Sequence, residues 1–154
     1  VAERTPAEVA SDAGVYLDSS ALAKLYVPEP ESDALDAWLR GRRDLMISEL
    51  VLTEVLSAVA RRRREGLLSA GQAVEIRDAL LADASSGVFH RLDLSPAVHR
   101  EAERLLFQVE SAPLRTLDAL HLAAALVGSA THVITFDARM RAAAAHVGLR
   151  PIEP

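Results

Sequence analysis

The sequence contains no cysteine. Disulfides, thiolate metal sites and cysteine nucleophiles are therefore excluded, and the fold has to stand on its hydrophobic core. No apolar run approaches the roughly 20 residues that a membrane span needs, and the polar start lacks a signal-peptide core. These absences predict a soluble, cytoplasmic chain. Lysine occurs once, at Lys24, so almost every positive charge is an arginine. The planar arginine fork matches phosphate oxygens, although a genome-level codon preference explains the bias more simply. Missing too are a Gly-x-x-x-x-Gly-Lys phosphate loop, a Gly-x-Ser-x-Gly elbow, internal repeats and low-complexity linkers. Basic residues number 17 against 22 acidic ones, and the net charge of −5 argues against holding nucleic acid by bulk charge alone.

What is present is one domain's worth of alternating strand and helix signals in 154 residues. Val1 to Gly14 is polar and without period, and reads as a tail. Val15 to Asp18 is the first predicted strand, with a helix capped by Ser19 or Ser20 running to Tyr26 before Pro28 and Pro30. Helix is predicted again over Ser32 to Arg40, and a short buried strand over Leu45 to Ser48. From Glu49 the apolar residues Leu52, Val55, Leu56 and Val59 recur at helical spacing, and that helix ends in Arg61 to Arg64. Ser69 and Gln72 form a capping box opening a helix to about Asp83, with a turn at Ser85 to Gly87. Val88 to Leu92 reads as an edge strand and Ser95-Pro96 as the start of a helix to Glu110. The run from Pro113 to Val127, capped at Thr116, is apolar on most faces and so a central helix. A strand from His132 to Phe136, a helix from Arg139 to His146 stopped by Gly148, and a strand from Leu149 to Ile152 complete the chain.

Strands alternating with helices imply a parallel sheet with right-handed crossovers. Ligands of such sheets bind outside the carboxyl ends of the strands, where strand order reverses. Four acids hold suggestive positions: Asp18 and Asp137 close strands, Asp118 opens the central helix, and Glu54 lies near the apolar start of another. If the first and fourth strands are neighbours, Asp18 and Asp137 face one crevice. Clustered carboxylates repel one another without a cation, and oxygen-only ligands suit Mg²⁺ or Mn²⁺. Such ions polarise phosphoryl oxygens and acidify water, so the chemistry implied is phosphodiester hydrolysis. Two of them would also bring the net charge from −5 to about −1. Arg115 could hold phosphate or pair with an acid. His121 shares a face with Asp118 and reads as a hydrogen-bonded histidine in a packed helix rather than a base. Arg61 and Arg62 read as a helix end favourable to the dipole or as a phosphate-binding edge.

The chain resembles the PIN-domain nucleases, and within them the VapC-like toxins of type II toxin–antitoxin pairs. Four segments carry the resemblance, which runs from Val15 to Pro154: Tyr-Leu-Asp18-Ser-Ser20-Ala-Leu-Ala-Lys-Leu-Tyr, Ser48 to Glu54, Leu-Arg-Thr-Leu-Asp118-Ala-Leu-His-Leu-Ala-Ala-Ala, and Ile-Thr135-Phe-Asp137. It implies a single α/β domain with a sheet of about five strands in the order 3-2-1-4-5 and helices on both faces. It further implies Mg²⁺-dependent endoribonuclease activity, with Asp18, Glu54, Asp118 and Asp137 as catalytic metal-binding acids and Ser20 and Thr135 supporting them. A cognate antitoxin and a homodimer follow from the same likeness. The polar stretch before Val15 departs from the family pattern. Two rivals use the same crevice: a receiver-like Mg²⁺-binding domain, which would want paired acids after the first strand and a late lysine, and a non-catalytic binding module. A haloacid-type phosphatase would want an aspartate where Ser20 stands.

Overall fold

Val15, Tyr16 and Leu17 are wholly buried in β1 (Gly14–Leu17), the middle strand of a five-stranded parallel sheet. The computed structural model describes residues 14–109 and 114–154. After β1 come α1 (Ser19–Tyr26), α2 (Ser32–Leu39), β2 (Leu45–Ser48), α3 (Glu49–Arg64), α4 (Ala70–Ser86) and β3 (His90–Leu92). The second half holds α5 (Pro96–Gln108), α6 (Thr116–Val127), β4 (Ala130–Ile134), α7 (Ala138–His146) and β5 (Arg150–Ile152). The strand order is β3-β2-β1-β4-β5, as the family resemblance implies, and every pairing is parallel. Right-handed crossovers then put α1 to α4 on one face and α5 to α7 on the other, with the reversal between β1 and β4. The polar reading of the N-terminal stretch lies outside the described residues up to position 13; Gly14 itself opens β1, one residue before the expected start of the strand.

The core is built from β-branched and leucine side chains on the sheet and from alanines on α6. Ala119, Leu122, Ala123, Ala124 and Ala125 are buried along that helix, as its apolar surface predicts. Small side chains there allow close approach to the sheet and to α5. At the outer edge, His90 and Arg91 of β3 are exposed, and Arg91 pairs with Glu49 at 2.6 Å. Among the described residues no helix is long and apolar enough to cross a membrane.

Several boundaries differ from the sequence reading, each for a local reason. Asp18, not Ser19 or Ser20, caps α1: its backbone is extended (φ −81, ψ 179) and its carboxylate accepts the Ala21 N–H. Arg115, rather than Thr116, is the residue preceding the first turn of α6. α4 continues to Ser86 because the Ser85 and Ser86 hydroxyls bond back to the carbonyls of Leu81 and Asp83, and it stops at Gly87 (φ +85). β3 is correspondingly shorter, and β5 starts at Arg150. β4 is displaced toward the N-terminus: it begins at Ala130 and ends at Ile134. Thr135 and Phe136 leave the ladder because their polar groups are taken by Asp18 and Ser20. Asp137 therefore does not close a strand; it caps α7 by accepting the N–H groups of Arg139 and Met140. α5 is described to Gln108, and its expected end at Glu110, like the Pro113 start of the next helical run, lies outside the described residues.

Candidate active site

The reversal of strand order opens a cleft of about 460 Å³ at the carboxyl ends of β1 and β4. Asp18, Glu54, Asp118 and Asp137, separated by up to 119 positions in sequence, all line it, together with Ser19, Ser20, Arg115, His121 and Arg139. Asp18 comes from the end of β1, Glu54 from the second turn of α3, Asp118 from the first turn of α6, and Asp137 from the cap of α7.

Asp18 is 3% exposed and the most confined of the four. Its Oδ1 accepts from the Ser20 hydroxyl at 2.7 Å and from the Ala21 N–H at 2.9 Å, while Oδ2 accepts from the Thr135 hydroxyl at 2.6 Å. Both hydroxyls work in two directions. Ser20 Oγ accepts the Phe136 N–H and Thr135 Oγ1 accepts the Asp137 N–H, so the turn after β4 is fastened to the end of β1. Ser20 and Thr135, the hydroxyls expected to support the acids, both donate to Asp18. Burial pushes the Asp18 carboxyl above its ordinary range, against the lowering effect of Thr135, Ser20 and Ala21.

Glu54 is half-buried, and burial would raise it as well, but hydrogen bonds from His121 and Ser19 hold it below the usual carboxylate range. His121 Nε2 lies 2.5 Å from its Oε2. At Asp137 the effect of burial is likewise outweighed, there by the N–H groups of Met140 and Arg139 and by the Arg139 charge, and the carboxyl lies low. Asp118 accepts the Arg115 N–H at 3.2 Å. Arg115 and Arg139 both line the cleft, and the Arg139 guanidinium lies 3.6 Å from Asp137.

Among the described residues, no three acid or imidazole groups lie close enough together to hold an ion directly. The four acids share a cleft without forming a cage. An all-oxygen set of this kind suits Mg²⁺, which keeps several waters and takes one or two carboxylates plus substrate phosphates. The buried Asp18, pushed up by desolvation, is a carboxyl that a cation in the cleft would hold ionised.

The family described as PIN domain matches residues 15–146. The chain belongs to the PIN-domain family. Ribonuclease VapC46 of Mycobacterium tuberculosis is 38% identical over 144 residues, covering 92% of this chain and 98% of that protein. This PIN domain is thus of the VapC group. Its fold is also that of VapC20 of M. tuberculosis, described as a sarcin–ricin-loop-cleaving toxin, with a TM-score of 0.70 at 19% identity over 92% of this chain and all of that one. VapBC2 of Rickettsia felis, solved bound to a DNA fragment from its promoter, matches with a TM-score of 0.63 at 16% identity over 90% of this chain and 96% of that one.

Arg61 and Arg62 do not line the cleft of this PIN domain. Arg62 reaches Glu29 at 2.8 Å, where Lys24 also binds. Arg61 is seven residues beyond Glu54, hence on nearly the same face of α3 and about 10 Å further along it. Four contributors were not singled out in the sequence as site residues: Arg139, Ser19, Tyr16 and Ser48. Arg139 could have been found as a cation in the first turn after Asp137. Tyr16 could have been found as the residue two before Asp18, which a strand places on the same face.

Proposed function

We propose that this PIN domain is a divalent-cation-dependent endoribonuclease and the toxin of a toxin–antitoxin pair. The observation that carries the proposal is the convergence of Asp18, Glu54, Asp118 and Asp137 on one cleft flanked by Arg115 and Arg139. The names of its relatives, a VapC ribonuclease and a VapBC complex, support the substrate class and an antitoxin partner. A homodimer agrees with the family resemblance.

Mg²⁺ or Mn²⁺, when bound, supplies the Lewis acidity that polarises a phosphoryl oxygen and acidifies a water for attack on phosphorus. Asp18 and Glu54 are the carboxylates best placed to hold it, because both are fixed by neighbours rather than free in solvent. Asp118 and Asp137, which line the same cleft, would add negative charge around such an ion. Arg115 and Arg139 give the RNA backbone somewhere to dock beside four acids, where the net charge would otherwise repel it.

Cleavage of RNA should require Mn²⁺ or Mg²⁺ and be lost in Asp18→Asn while the far-ultraviolet circular dichroism is unchanged. Cleavage that survives in chelator, or in Asp18→Asn, overturns the assignment. RNA or protein binding with no cleavage under any metal would favour the binding-module reading.

A further inference from the structure

The geometry points to His121 as a positioning residue that fixes the Glu54 carboxylate in the cleft, an inference that rests on the cation-dependent reading above. Four polar groups from four elements form one unbroken chain: Ser48 Oγ to Tyr16 Oη at 2.7 Å, Tyr16 Oη to His121 Nδ1 at 2.9 Å, and His121 Nε2 to Glu54 Oε2 at 2.5 Å. Ser48 and Tyr16 are wholly buried and His121 is 3% exposed, so water does not compete for these bonds.

The direction of the chain follows from its carboxylate end. Glu54, held below the usual carboxylate range, is acceptor-only, so His121 Nε2 is the donor of that bond. In the neutral ring Nδ1 is then the acceptor of the Tyr16 hydroxyl, whose oxygen in turn accepts from the Ser48 hydroxyl. A carboxylate held by such an N–H, with Ser19 as a second donor, cannot swing away from the cleft wall. A donor that bonds a metal ligand from behind orients it, and its loss costs about 10- to 100-fold in metal affinity.

The test measures binding of Mn²⁺ alone by calorimetry, together with long-range ¹H–¹⁵N correlation of histidine-labelled protein. Wild type should show a proton on His121 Nε2. His121→Leu should bind Mn²⁺ about 10- to 100-fold more weakly, while His121→Gln, whose amide N–H can take the Nε2 position, should stay within a few-fold of wild type. Tyr16→Phe should shift the Nδ1 resonance and weaken Mn²⁺ binding as well. A folded His121→Leu that binds Mn²⁺ as tightly as wild type overturns the positioning role alone. Should that variant not fold, a Tyr16→Phe protein with unchanged imidazole resonances and unchanged affinity overturns it instead. A wild type that binds no Mn²⁺ overturns the cation reading of the cleft and this inference with it.

Discussion

At the scale of single residues, Thr135 shows how much one hydroxyl does. It donates to Asp18 Oδ2 and accepts the Asp137 N–H, joining two site acids through one oxygen. Thr135→Val keeps the shape but leaves a buried carboxylate oxygen and a backbone N–H without partners. A loss of about 1–3 kcal/mol in urea unfolding is expected; a change below about 0.5 kcal/mol would mean that water replaces the hydroxyl. Asp18 has two roles at once, helix cap and site acid, which is why residue type alone could not choose between them. Its neighbour His121 was legible as a hydrogen-bonded histidine, but neither partner was, since Tyr16 lies 105 positions away and Glu54 67.

At the scale of elements, helix starts concentrate the chemistry. α6 and α7 each bring an acid and an arginine to the cleft within one turn, Asp118 with Arg115 and Asp137 with Arg139. Phosphates docked on those arginines release counterions, so Arg115→Ala and Arg139→Ala should each lower the slope of log affinity for RNA against log salt by about one. Arg61→Ala should lower it less, because the end of α3 is outside the cleft. Titrating RNA binding from low to high salt separates these outcomes. The capping box of α4, present as the sequence predicts, offers an independent check. Ser69→Ala should cost about 1 kcal/mol in thermal or urea unfolding without touching RNA cleavage.

For the whole molecule, charge is the governing quantity. A folded state that carries an excess of acids into one cleft gains from any cation that binds it and not the unfolded chain. Mn²⁺ at about 100 times its dissociation constant should therefore add about 2.7 kcal/mol of stability and raise Tm, and Asp18→Asn should remove most of that gain. Acid works the other way at the far end of α1. There Lys24, buried against Phe136, holds the Glu29 carboxyl below its ordinary range, with Arg62 assisting. A depressed folded pKa means stability that is present above the unfolded value of about 4.3 and lost as pH falls through the folded one. Urea midpoints should thus drop on acidification below about pH 4.5, and less steeply in Glu29→Gln.

Periodicity, capping residues and turn signals were enough to determine the alternating strands and helices, the buried α6 and the edge character of β3, because those signals act between residues close in sequence. The boundaries of β4 were decided only in three dimensions. Thr135 and Phe136 have strand-forming side chains, yet their hydrogen bonds to Asp18 and Ser20 draw them out of the sheet. The same holds for the Ser48–Tyr16–His121–Glu54 chain and for the separation of Arg61 and Arg62 from the cleft. Local preference fixes which element a residue joins, whereas long-range packing selects the partner its polar atoms meet.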